Sequence, residues 1–146
     1  MAMEPNAMKF LLVLLAAAGL ARLGLGARAV EPFDPEIFVP APAQGALALE
    51  LRVDDMDLRE LIAPLDDAET RAAATAERAF LSGLGGGCDL PIGAFGRLTG
   101  EALLLRAMRA DPDGGNLRYV AGQGTPDQPE ALGIKLAAEV LHGEAA

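Results

Sequence analysis

The chain has no tryptophan, one tyrosine, one cysteine and one histidine, and its basic residues number 12 against 21 acidic ones. Each shortage excludes something. A single cysteine, Cys88, rules out an intrachain disulfide framework and any cysteine-rich zinc site; it fits a reducing compartment. A single histidine, His142, means that any metal site would be built almost wholly from carboxylates. A Cys–His nucleophile pair would need residues far apart in sequence to meet. The net charge of −9 makes nonspecific nucleic-acid binding a poor reading, because that binding rests on Lys and Arg neutralising phosphates. Aromatics are only 4%, so the core must come from Ala, Leu, Ile and Val. No apolar run reaches the roughly 20 residues that cross a bilayer. What remains is a 146-residue chain, 51% hydrophobic, long enough for one domain with a real core and too apolar for disorder.

The beginning of the chain reads two ways. Lys9, the apolar stretch Phe10 to Ala18 and the small-residue triplet Ala27-Arg28-Ala29 have the layout of a secretory leader. The same residues also read as a buried strand, Phe10 to Leu15, followed by a short helix, Ala17 to Leu23. Four prolines between Glu31 and Pro42 exclude a helix and imply an extended connector. Ala46 to Val53 then alternates as a strand, with Leu47, Leu49 and Leu51 on one face.

Asp54 or Asp55 can cap a short helix with Asp57 in its first turn. Its apolar stripe is Leu58, Leu61, Ile62 and Leu65, and Pro64 helps to end it. Asp66, three residues before Glu69, marks a second start. The helix from about Ala68 to Leu84 should bury Ala73, Ala76, Phe80 and Leu84, and Gly85-Gly86-Gly87 stops it. Ala102 to Met108 reads as a strand, Asp111 to Gly115 as a turn and Leu117 to Ala121 as the returning strand. Thr125 should cap the last helix, with Pro126 in first position, Gln128 completing a capping box, and Leu132, Leu136, Ala137 and Val140 buried. The fold class is α+β: a small antiparallel sheet packed by helices, preceded by strand–helix elements of α/β type.

Cys88 is the candidate for chemistry. Most free cysteines are small buried hydrophobes. This one sits on a glycine-rich turn, where absent side chains let a sulfur approach a cleft. Nearby positive charge favours thiolate, and Arg78 is placed to supply it. Its planar fork also suits carboxylates. Arg78 otherwise reads as an exposed helix residue beside Glu77. The triple glycine lacks the Gly-Lys-Ser/Thr sequel of a phosphate loop. The pairs Asp54-Asp55 and Asp66-Asp67 read as helix caps rather than metal ligands.

The segment Ala76-Glu77-Arg78-Ala79-Phe80-Leu81, continued by Leu84-Gly85-Gly86-Gly87-Cys88-Asp89-Leu90-Pro91-Ile92-Gly93, resembles the cofactor-attachment segment of the hydroxymethylbilane synthase (porphobilinogen deaminase) family. Further resemblances follow the family's order. They are Ala18-Gly19-Leu20-Ala21-Arg22-Leu23-Gly24, Pro40-Ala41-Pro42-Ala43-Gln44-Gly45-Ala46-Leu47, Leu49-Glu50-Leu51-Arg52 and Leu132-Gly133-Ile134-Lys135-Leu136-Ala137. They favour strand and helix over leader at the start. Departures from the family pattern are Leu11 and Leu12 for an Asp-Ala pair, Pro42 for a small aliphatic, Ala43 for Gly, and Gly85 for an acidic residue.

The resemblance implies a transferase of tetrapyrrole (haem and chlorophyll) biosynthesis, cytoplasmic and monomeric. It condenses four porphobilinogen units, releasing ammonia, on a dipyrromethane cofactor that Cys88 holds as a thioether, with Arg78 beside it. Its partners would be porphobilinogen and the growing polypyrrole, with neither nucleic acid nor membrane. It also implies a layout: residues 1–39, an unmatched start plus the tail of a second α/β domain; 40–63, a hinge and a segment returning to the first domain; 64–146, the cofactor-attaching domain. The catalytic aspartate and basic cluster of the family's amino-terminal half are not in this sequence. The expectation is therefore that the chain is inactive alone; a truncated or misassigned gene start is the simpler explanation, favoured by the unmatched Met1 to Met8, and a separately encoded half that completes it is the other. The competing readings are a secreted binding protein and a noncatalytic domain, each with an unmodified Cys88.

Overall fold

The computed structural model describes residues 16–29, 31–86 and 90–142. It divides into two units, residues 1–33 and 34–146. In the first unit, α1 spans Ala17–Arg22 and a single 3-10 turn spans Gly26–Arg28. The expected helix from Ala17 is thus present. Gly24, at φ 70°, closes it: Gly24 N–H donates to the Ala21 carbonyl and Leu25 N–H to that of Leu20, which satisfies carbonyls a helix end leaves open. The proposed strand at Phe10 to Leu15 lies outside the described residues.

The second unit holds α2 (Met56–Ile62), α3 (Ala68–Gly83), β1 (Ile92–Thr99), β2 (Ala102–Arg109), β3 (Arg118–Gly124) and α4 (Pro129–His142). The strands form one antiparallel sheet in the order β1-β2-β3, with rows such as Phe95–Arg106–Ala121 and Arg97–Leu104–Gln123. The α+β class is therefore as the sequence implied. Gly100, at φ 62°, occupies the first central position of the two-residue β1–β2 turn, a place that calls for glycine. Between β2 and β3, Asp111 N–H donates to the Gly115 carbonyl, and the Asn116 amide donates to Asp111.

Helices α3 and α4 cover one face of the sheet. The core joins Ala76 and Phe80 of α3, Ala94, Leu103, Leu105 and Ala107 of the sheet, and Leu132, Leu136, Ala137 and Val140 of α4. Each Leu or Phe buried there contributes roughly 1.5–3 kcal/mol of transfer free energy. Small residues set the α3–α4 spacing. A Cβ on Gly133 would lie 2.7 Å from both the Ala79 Cβ and the Phe80 backbone nitrogen, and one on Gly83 would lie 2.6 Å from the Ala137 Cβ.

Several expectations are corrected. α4 begins at Pro129, not Pro126, and the Gln128 carbonyl accepts from Leu132 N–H. In a helix starting at Pro126, residue 129 would have to donate to the carbonyl of 125; proline has no N–H and its ring clashes there. Asp67, rather than Asp66, caps α3 by accepting from Thr70 N–H at 2.7 Å, while Asp66 pairs with Arg71. Asp55, one of the two candidates, caps α2. No strand forms at Ala46 to Val53, where Leu47 is 93% and Val53 88% exposed. The expected stripe of α2 buries nothing. Strand β1 went unrecognised because its glycines depress strand propensity.

We expect Gly133→Ala to destabilise the fold by about 2 kcal/mol or more, as overpacking between two helix backbones does. Urea denaturation of the variant would measure it; an unchanged midpoint would show that α3 and α4 can move apart freely.

Candidate functional site

Helix α3 ends in a tightly specified way. Leu84 is the C-cap; Gly85, at φ 90°, donates to the Ser82 carbonyl; Gly86, at φ 60°, donates to the Leu81 carbonyl. Those two bonds close the helix and need left-handed residues in sequence, which explains the glycines. On the far side, the Pro91 carbonyl accepts from Ala110 N–H at the end of β2, and β1 starts at Ile92. Gly86 and Pro91 are thus both held by backbone hydrogen bonds. Cys88, which falls between them in sequence, lies outside the described residues, as do Gly87 and Asp89.

Arg78 is exposed on α3 and makes no hydrogen bond or ion pair with the described residues. It stands six residues before the C-cap, about 9 Å along the axis at 1.5 Å per residue. Its guanidinium is free to meet an anion. His142 lies exposed in the last turn of α4. Among the described residues no group of three or more His, Cys, Asp or Glu side chains could hold a metal ion.

The residue that sequence reasoning missed is Glu77. It reads as one more surface charge beside Arg78, yet its side chain is only 7% exposed. One carboxylate oxygen accepts from Gly96 N–H at 2.6 Å and the other from Ala43 N–H at 2.5 Å. β1 is an edge strand, so alternate N–H groups along its free edge lack a ladder partner. The Pro40 carbonyl takes Ala94 N–H at 2.9 Å, and Glu77 takes the next, Gly96. The connector 40–43 is thereby fastened to β1 and α3. Gly96 is glycine because a Cβ would sit 3.1 Å from the Ala73 backbone, and Gly93 because one would sit 2.8 Å from the Val39 carbonyl. Ala43 is held at φ 59°, a left-handed conformation costing a non-glycine residue roughly 1–2 kcal/mol. One signal was available: Glu77 is four residues after Ala73 and three before Phe80, on the apolar stripe itself.

Burial pushes the Glu77 carboxyl above its ordinary value of 4.5, and the Gly96 and Ala43 N–H groups pull it back in part. With the folded value raised, the native state holds more proton than the unfolded chain in that window. Stability must then fall as pH rises through it. We expect Glu77→Gln to cost about 1–3 kcal/mol near neutrality, since the amide turns one acceptor into a donor facing an N–H. The gap between wild type and variant should change as pH rises from 4.5 through the raised value. Parallel pH–stability curves for the two proteins would contradict the clamp.

The second unit is thus a small α+β domain in which α3 carries an exposed Arg78 and ends at two left-handed glycines shortly before Cys88 in sequence. Two family models match the chain: "Porphobilinogen deaminase, C-terminal domain" over residues 71–142, and "Porphobilinogen deaminase, dipyromethane cofactor binding domain" over residues 3–60. The second match begins earlier than the resemblance did, so residues 3–8 and the stretch from Met8 to Ala29 are family sequence. Curated relatives named porphobilinogen deaminase come from Roseiflexus sp. (strain RS-1), 46% identical over 129 residues, and Acidothermus cellulolyticus, 46% identical over 137. A third, from Methylobacillus flagellatus, is 43% identical over 129 residues. The alignments cover 88%, 91% and 88% of this chain and 42%, 41% and 42% of the relatives. This chain belongs to the porphobilinogen deaminase family, whose cofactor is a dipyrromethane. It spans about two fifths of the length of the curated relatives it matches.

Proposed function

We propose that this chain is the cofactor-carrying portion of a cytoplasmic hydroxymethylbilane synthase, with Cys88 as the thioether anchor of the dipyrromethane. The observation that supports the reading is the frame around the lone cysteine: in sequence it falls between a glycine-closed helix end and the hydrogen-bonded Pro91, and Arg78 on that helix is exposed with no ion pair among the described residues.

Attachment balances simply. The Cys88 thiolate forms a C–S bond to the methylene carbon of a porphobilinogen-derived pyrrole, and the C–N bond to the amino group breaks. The thiol proton leaves with the departing ammonia. The cofactor, once bound, supplies the pyrrole terminus to which further porphobilinogen units are joined, so that ammonia is released at each condensation. Arg78 holds a carboxylate side chain of the pyrroles bidentately and favours the thiolate during attachment.

Turnover needs more than this portion. The curated relatives are more than twice as long. Electrostatic stabilisation and proton transfer usually supply most of an enzyme's rate, and the resemblance implies that the groups supplying them belong to the family's amino-terminal half. We infer that the chain alone does not turn over porphobilinogen and that a polypeptide carrying the family's remaining length completes it. Support comes from Ala46 to Val53 and α2, where Leu47, Leu49, Val53 and Leu61 are exposed without a partner element among the described residues. An alternating apolar segment of this kind suits insertion into another polypeptide's sheet.

Hydroxymethylbilane production should be absent with the purified chain and appear when the remaining part of the Roseiflexus relative is co-expressed with it. In that mixture Cys88→Ser should abolish turnover. Arg78→Leu should raise KM at least tenfold, about what losing a charge-assisted hydrogen bond costs. Turnover by the chain alone, or by the Cys88→Ser mixture, would contradict the proposal.

A further inference from the structure

The sheet face turned away from α3 and α4 carries a cavity that the proposed Cys88 chemistry does not use. Its volume is about 330 Å³, and Glu36, Phe95, Arg97, Leu104, Arg106 and Gln123 line it. The register puts Phe95, Arg106 and Ala121 in one row and Arg97, Leu104 and Gln123 in the next, so all six strand residues share this face.

The two arginines differ in kind. Arg97 is fully committed: its Nε and Nη2 reach Glu36 Oε1 at 2.8 and 2.7 Å, and its Nη1 donates to Thr99 Oγ1 at 2.7 Å. Arg106 is half-buried and pairs with no carboxylate among the described residues. Its guanidinium lies 5.3 Å from the centre of the Tyr119 ring, and its Nε is buried without a hydrogen-bond partner. A cation held against an aromatic face on one side keeps its donor edges for an anion. The unsatisfied Nε–H is a group that a folded protein rarely leaves so.

Charge and shape together define a ligand. The Arg97–Glu36 pair cancels, which leaves one uncompensated positive charge in the cavity. A dianion such as phosphate would meet the Glu36 carboxylate at the rim. Phe95, Leu104 and Ala121 offer an apolar wall suited to a ring. We propose that this outer face is a binding site for a small aromatic monocarboxylate, its carboxylate seated on the Arg106 guanidinium and its ring against Phe95 and Leu104. The site does not depend on the catalytic reading.

Benzoate titrated into the full ¹⁵N-labelled chain tests this. Saturable shifts are expected at the Arg106 Nε–H and at the amides of Phe95, Ala121 and Gln123, and not across α3 or α4. Arg106→Gln should weaken binding at least tenfold; Arg106→Lys, which keeps the charge but not the fork, should fall between. Acetate, which lacks the ring, and benzyl alcohol, which lacks the charge, should each bind at least tenfold more weakly than benzoate. Shift mapping on the wild type stands even if a variant folds poorly. Scattered shifts, no saturation by about 10 mM, weaker than any site with a millimolar Kd, or phosphate or acetate binding as tightly as benzoate would each overturn the proposal.

Discussion

The structure turns on one carboxylate. Glu77 leaves α3 on the buried side and accepts one N–H from β1 and one from the connector. A single side chain thereby joins three pieces of backbone that are distant in sequence. Charge-assisted bonds of this kind are about twice as strong as neutral ones, and their loss would leave two N–H groups without acceptors. The glycines at 93 and 96 belong to the same arrangement, since they let the connector and α3 approach the strand edge. So does the strained Ala43, whose left-handed backbone is held by the bond to Glu77.

That fastening bears on the end of α3. Arg78 follows Glu77 directly, and Glu77 fixes the rotation of α3 about its axis. With Glu77 turned inward, Arg78 is turned outward, unpaired. The same helix then ends in the bonds at Gly85 and Gly86, shortly before Cys88 in sequence. Helix rotation, arginine exposure and the helix end are set together, and α4 holds α3 from behind through the close contacts at Gly83 and Gly133.

Much of this was legible in the sequence, for identifiable reasons. Helix α3 announced itself through Ala76 and Phe80 and its terminal glycines, and the buried face of α4 through Leu132, Leu136, Ala137 and Val140. These patterns come from local periodicity, which a sequence carries directly. β1 did not show, because Gly93 and Gly96 answer to residues far away in the chain. Glu77 was missed for the same reason: a charge on an apolar stripe makes sense only once its two backbone donors are known. The start of α4 was misplaced because two prolines competed for one position, and only the missing N–H of Pro129 decides between them. Ala46 to Val53 has the alternation of a strand, but a strand is a relation between segments, and the described residues contain no partner for it. The family was legible from the Cys88 segment, and the matches to both family models bear it out.

The central claim is that Cys88 carries the dipyrromethane, and intact mass tests it most directly. The chain isolated from its own cells, digested and sequenced around Cys88, should show a two-pyrrole thioether on that sulfur. A free thiol on all of the isolated protein would contradict the claim.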